Sequence, residues 1–262
     1  MILWIQGELI SLEVARIAPT DRGFTLGDGL YETIRVRGGD ILRLDRHFAR
    51  LGNGLKVLAF PVTVDASGWT AAMRAVLEAN GLADAVVRLT VSRGVAARGM
   101  APDPRAAPTI VVSAASFAPP IPARTVIADS TRRNEHSPLS RIKSTSCLDS
   151  IIARVEADRR GADDAILLNT AGRIAEATAA NVFAVIDGVT ATPPVADGAL
   201  PGIMREAVMA STSVEERSLS PTDLDVASEI FLTSSLGIRP VIAFGDRTLP
   251  IGPVTTALKT IL

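Results

Sequence analysis

The sequence predicts a mixed α/β protein of the α+β type, divided into two domains. Three observations predict it. Turn signals joining short alternating strands recur in both halves, and each half also carries apolar residues at helical spacing. A stiff run, Ser116-Phe117-Ala118-Pro119-Pro120-Ile121-Pro122-Ala123, interrupts the chain near its middle. A length of 262 residues with 47% hydrophobic content suffices for one large or two modest cores. The expected division is a smaller N-terminal domain over 1–115, a linker over 116–124 and a larger C-terminal domain over 125–262.

The elements follow in order. The apolar start, Met1 to Ile10, reads as a strand and turn with Gln6-Gly7 at the bend. Glu32 to Arg37 and Asp40 to Leu44 flank Gly38-Gly39, a hairpin signal. Leu44, Phe48, Leu51, Leu55 and Leu58 then recur in steps of three and four, which predicts an amphipathic helix. Trp69, Ala72, Met73 and Val76 predict a second helix, closed by Asn80-Gly81. Val87, Leu89 and Val91 alternate as a strand, and Thr109 to Ser113 reads as another. Beyond the linker, Leu148, Ile151, Ile152 and Val155 predict a helix. Hairpins are expected around Thr170-Ala171-Gly172 and Asp187-Gly188, a helix from Pro201-Gly202, and a buried strand over Ile230 to Thr233.

Composition narrows the function. The formal charge is −1 with no basic block, so no nucleic-acid footprint is expected. No apolar run reaches the ~20 residues of a membrane span, and the first ten residues lack the basic start of a signal peptide and carry Glu8. A single cysteine, Cys147, points to a reducing, cytoplasmic setting. With only two histidines, no metal site is expected. Nucleotide-binding loops, the nucleophile elbow and the zinc-protease motif are absent from the sequence.

Only three of the 27 basic residues are lysines: Lys56, Lys143 and Lys259. Lys56 lies on a predicted helix and Lys259 near the end of the chain. Lys143 stands in a polar stretch just before a helix, where it is either a solvated residue or a nucleophilic amine. Glu176 ends a strand within a run of alanines. It is a paired carboxylate, or an acid that holds a proton on a heterocyclic nitrogen. Gly202-Ile203-Met204 opens a helix, and its first amides could receive an anion. Thr233-Ser234-Ser235 offers hydroxyls after a strand. Arg50 belongs to a basic helix face and could supply permanent charge to a phosphate. Arg93 and Arg98 bracket a glycine-containing loop suited to a carboxylate.

Together these segments resemble the class IV aminotransferases, the fold-type IV enzymes dependent on pyridoxal 5′-phosphate (PLP). The matching stretches are Asp21-Arg22-Gly23, Gly27-Asp28-Gly29-Leu30-Tyr31-Glu32-Thr33 and His47-x-x-Arg50-Leu51. They continue with Ser92-Arg93-Gly94, Arg98-Gly99, Ile142-Lys143-Ser144, Glu176 through Asn181-Val182-Phe183, and Gly202-Ile203-Met204-Arg205. The resemblance runs from about Thr20 to about Val241. It implies that Lys143 carries PLP as a Schiff base and shuttles protons, and that Glu176 partners the pyridine nitrogen. It further implies that Arg50, the amides of Ile203 and Met204, and Ser234 hold the phosphate. Tyr31 would line the pocket and Arg98 would bind substrate carboxylate. It also implies an active site between two α/β domains, the C-terminal one binding PLP, and a homodimer.

The activity implied is transfer of an amino group between an amino acid and a 2-oxo acid. Its relatives include 4-amino-4-deoxychorismate lyases, which release pyruvate to form 4-aminobenzoate for folate, and a binding protein without catalysis is the remaining reading. Leu148 stands where branched-chain enzymes usually place tyrosine, and Met204 where they favour threonine, so the resemblance is nearest the D-amino acid and lyase branches. Against the lyase, Lys143 lacks the usual Leu-Asn pair two and three residues on. Against the D-amino acid enzymes, Met100 replaces a histidine two residues beyond Arg98.

Overall fold

A computed structural model describes residues 1–261. The chain divides into two compact units: Met1–Ala118 with Ile142–Ser146, and Pro119–Arg141 with Cys147–Leu262. The chain first passes from one to the other between Ala118 and Pro119. The span 125–262 is therefore not one uninterrupted body, because the five residues around Lys143 return to the first unit.

The first unit comprises β1 (Ile2–Ile5), β2 (Glu8–Ser11), α1 (Arg22–Leu26), β3 (Gly29–Arg37) and β4 (Asp40–Ile41), followed by α2 (Leu44–Val57), α3 (Ala66–Ala79), β5 (Ala85–Ser92) and β6 (Thr109–Ser116). Its six strands form one antiparallel sheet in the order β2-β1-β6-β5-β3-β4. Alternation along β3 sends Leu30, Glu32, Ile34 and Val36 to the face that packs against α2 and α3. Leu51 and Leu55 from α2 meet Trp69, Met73 and Val76 from α3 in that core. Burial of each large side chain contributes roughly 1.5–3 kcal/mol. The helix α1 escapes sequence recognition because five residues carry no period; Asp21 caps its start by accepting from the Gly23 amide.

The second unit comprises β7 (Ala123–Ile127), α4 (Leu148–Arg159), β8 (Asp164–Leu168), β9 (Ile174–Ala177), β10 (Asn181–Ile186) and β11 (Val189–Thr192). It continues with α5 (Ile203–Ser211), β12 (Glu215–Glu216), α6 (Pro221–Val226), β13 (Glu229–Ser234), β14 (Gly237–Phe244), β15 (Arg247–Thr248) and α7 (Pro253–Ile261). Nine strands form a mixed sheet, ordered β12-β11-β10-β13-β14-β7-β8-β9, with β15 beside β14. On one face Phe183 stacks on Phe231, ring centroids 5.0 Å apart, and Val208 of α5 and Leu258 of α7 pack with them. The helix α4 forms where its apolar spacing predicts. Yet Ala153 and Ala157 are its buried residues, whereas Leu148, Ile151, Ile152 and Val155 are exposed. Residues 123 and 124, expected in the linker, already belong to β7.

Candidate active site

In the first unit, β4 pairs only with the far end of β3, at Val36 and Arg37. The near end of β3 keeps an open edge, and the Ile142–Ser146 segment occupies it. The Tyr31 amide donates to the Lys143 carbonyl at 3.0 Å, and the Thr145 amide donates to the Gly29 carbonyl at 2.9 Å. The Thr145 hydroxyl adds a bond to the Gly27 carbonyl at 2.7 Å. Ile142 and Ser144 point into buried surroundings, so alternation leaves half-buried Lys143 on the other side. There its Nζ lies 4.5 Å from the centroid of the Tyr31 ring. The guanidinium of Arg88 lies 3.9 Å from the same centroid. The two cations are thus no more than 8.4 Å apart, the two ring distances combined.

Arg50 is not on a solvated face. Its Nε donates to Glu32 Oε1 at 2.9 Å and its Nη2 to Glu32 Oε2 at 2.6 Å. His47 Nδ1 lies 2.7 Å from Glu32 Oε2. Glu32 is fully buried. Burial alone would raise its pKa, but Arg50 and then His47 outweigh burial and hold the carboxyl below its ordinary range.

Arg98 is exposed, on a loop between β5 and β6 whose base is held by charge. Asp28 accepts from Arg22 Nε at 2.8 Å and from Arg93 Nε at 2.7 Å. Arg22 then reaches on to the carbonyls of Gly99 and Met100. Burial would raise the Asp28 pKa, but Arg93 and Arg22 reverse it and the group is lowered. Arg22 and Arg98, with Thr20, Thr25, Ala96 and Gly99, line a cavity of about 340 Å³.

In the second unit, buried Glu176 lies 3.1 Å from Arg133 Nη2 and accepts from the Leu200 amide at 2.9 Å. Arg133 is itself fixed to the carbonyls of Gly198 and Ser140. The Leu200 carbonyl accepts from Asn181 Nδ2 at 2.8 Å. One residue, Leu200, thus links Glu176 through its amide to Asn181 through its carbonyl, just before the entrance of α5. Gly202 caps that helix without a side chain, and a Cβ there would fall 1.9 Å from Asn181 Oδ1. Ile203 and Met204 are the first residues of α5, where amides have no carbonyl one turn back. Thr233, opposite Asn181 on the face toward α5, has a buried hydroxyl with no hydrogen-bond partner. Ser234 ends β13 at a tight turn, and its hydroxyl accepts from the Leu236 amide at 3.2 Å. Ser234 also borders a cleft of about 300 Å³ with Pro119, Pro120, Ala179, Leu232 and Leu236.

The first unit therefore gathers Tyr31 and Lys143 on one side of β3, Arg50 on the other, and Arg98 on a separate loop. The second gathers Glu176 with Ile203 and Met204, and places Ser234 one residue beyond the orphaned Thr233. Sequence reading missed Arg133 and Arg88, named Thr233 only among the hydroxyls that follow a strand, and gave Glu32 and Asn181 no role. No local signal marks Arg133 among its neighbours; only the fold brings it to Glu176. Among the described residues, no group of three His, Cys, Asp or Glu could hold a metal, and no helix is long and apolar enough to cross a membrane.

Each unit carries groups of the kind PLP chemistry calls for. The first holds the Lys143 amine, and the second holds a buried carboxylate and helix-entrance amides beside an orphaned hydroxyl. A mixed α/β fold carrying this set defines a PLP-dependent enzyme. Comparison with known proteins narrows the class: residues 29–244 match the family described as amino-transferase class IV, and the chain belongs to that family. A Methanocaldococcus jannaschii protein provisionally assigned as a branched-chain-amino-acid aminotransferase is 32% identical, over 99% of this chain and 94% of its own. The Escherichia coli branched-chain amino acid aminotransferase structure superposes with a TM-score of 0.93 at 26% identity, covering 99% of this chain and 92% of the other. A Legionella pneumophila protein provisionally assigned as a 4-amino-4-deoxychorismate lyase superposes at 0.88 with 30% identity, over 94% of both chains. Leu148 and Met204 pointed to the D-amino acid and lyase branches; branched-chain enzymes stand among the relatives nonetheless.

Proposed function

We propose that this class IV aminotransferase moves the amino group of aliphatic, branched-chain amino acids to a 2-oxo acid, working as a homodimer. The observation that carries the catalytic reading is the placement of Lys143 Nζ over Tyr31 by a segment bonded to β3. The substrate preference rests on the branched-chain relatives.

PLP, when bound, supplies an electron sink for the electrons released at the substrate Cα. Lys143 Nζ would anchor the cofactor, and as an amine near the substrate it would take and return the Cα proton. Glu176 keeps a proton on the ring nitrogen, with Arg133 and the Leu200 amide fixing the carboxylate. Arg50, the amides of Ile203 and Met204, and Ser234 hold the phosphate. Tyr31 bounds the space around Nζ, and Arg98 offers positive charge to a substrate carboxylate.

Amino transfer from leucine, isoleucine, valine and D-amino acids to 2-oxoglutarate tests this reading. The branched L-amino acids should lead, and Lys143→Ala should remove all transfer. Pyruvate release from aminodeoxychorismate would instead favour the lyase, a second reading supported by Met204 and the Legionella neighbour.

A further inference from the structure

The Glu32 carboxylate is the most deeply buried charge in the first unit, and no step above uses it. A carboxylate placed within an apolar core is weakly stabilising at best, and a packed apolar residue would serve the fold as well. Here it projects from β3 among Leu30 and Ile34, toward α2, and meets two residues one helical turn apart, His47 and Arg50. The contact with Arg50 is two-pronged, through Nε and Nη2, which fixes the plane of the guanidinium as well as its position. His47 bonds one of the same carboxylate oxygens, so the carboxylate cannot swing away from Arg50 without losing that contact. The preceding residue on β3, Tyr31, lies over Lys143 from the opposite face. A single strand thus sets both the amine and Arg50.

We propose that Glu32 is a positioning residue that orients the Arg50 guanidinium to receive the phosphate of the cofactor. The inference rests on the reading of Arg50 as a phosphate holder. Pyridoxal, which lacks the phosphate, separates this role from general damage to the fold. Binding of PLP and of pyridoxal to the full-length apo-protein would be titrated for wild type, Glu32→Gln and Arg50→Ala, with thermal midpoints recorded in parallel. Glu32→Gln should weaken PLP about 10- to 100-fold, as loss of an outer partner of a binding residue does, while pyridoxal affinity stays unchanged. Arg50→Ala should lose the preference for PLP over pyridoxal at least as strongly.

If Arg50→Ala loses that preference and Glu32→Gln keeps it, Glu32 only supports the fold and the inference is overturned. If Arg50→Ala itself keeps the preference, the phosphate role of Arg50 fails, and the inference with it. Should Glu32→Gln not fold, Glu32→Asp decides the matter. It retains the charge but withdraws it by one methylene, and a smaller loss confined to PLP is expected; equal losses for both ligands would overturn the proposal.

Discussion

Glu32 and Glu176 are both buried carboxylates facing an arginine, and they are built to different ends. Glu32 is gripped by side chains alone, Arg50 through two nitrogens and His47 through one. Glu176 is held by a guanidinium and by the backbone amide of Leu200, a residue whose carbonyl also bonds Asn181 just before α5. The first arrangement orients a cation. The second orients the carboxylate itself and ties it to a helix entrance, which suits the role proposed for Glu176 as partner of the ring nitrogen. Charges of similar burial can therefore be told apart by what fixes them.

The contrast can be broken in order of effect. Lys143→Ala should reduce amino transfer by ~10⁴-fold or more, since it removes both the covalent anchor and the base; stopped-time assays with leucine and 2-oxoglutarate check this. Glu176→Gln keeps the shape of the side chain and removes its charge. Turnover should fall on the order of 10²-fold with cofactor retention nearly intact, the reverse of the pattern expected for Glu32→Gln. Gly202→Ala would press a methyl group to 1.9 Å from Asn181 Oδ1. It should destabilise the second unit by about 1–3 kcal/mol and weaken PLP, read from melting curves with and without the cofactor.

The smallest effect lies away from both clusters. Glu156 is held at a pKa of about 2 by Ser130 first and, despite a lesser opposing effect of burial, by the Asp129 amide and Arg160. Its ordinary value is 4.5, so its contribution is complete above that pH and disappears as pH falls toward 2. Because the pair with Arg160 is partly exposed, about 1 kcal/mol or less is expected. Glu156→Gln should melt slightly below wild type at pH 6, and the two should converge near pH 2.

Local chemistry made much of this fold legible. The turns at Gln6-Gly7, Gly38-Gly39 and Asp187-Gly188 need particular backbone angles, and all six residues have positive φ or glycine where the hairpins bend. Periodicity placed α2 and α3 because one face of each is apolar and buried. It misled at α4, where the regularly spaced aliphatics are exposed and alanines pack inward. The sites were legible through motif resemblance, and their support was not. Arg133 reaches Glu176 across 43 positions by strand pairing beside Asn169, and Lys143 meets Tyr31 across 112. No spacing rule encodes contacts set by sheet order.

Three lysines make the central claim directly testable. Borohydride treatment of the purified, PLP-loaded protein, followed by peptide mass mapping, would show where the cofactor is attached. A single phosphopyridoxyl adduct on the peptide containing Lys143, absent from Lys143→Ala, is the predicted result. An adduct on Lys56 or Lys259, or none at all, would contradict it.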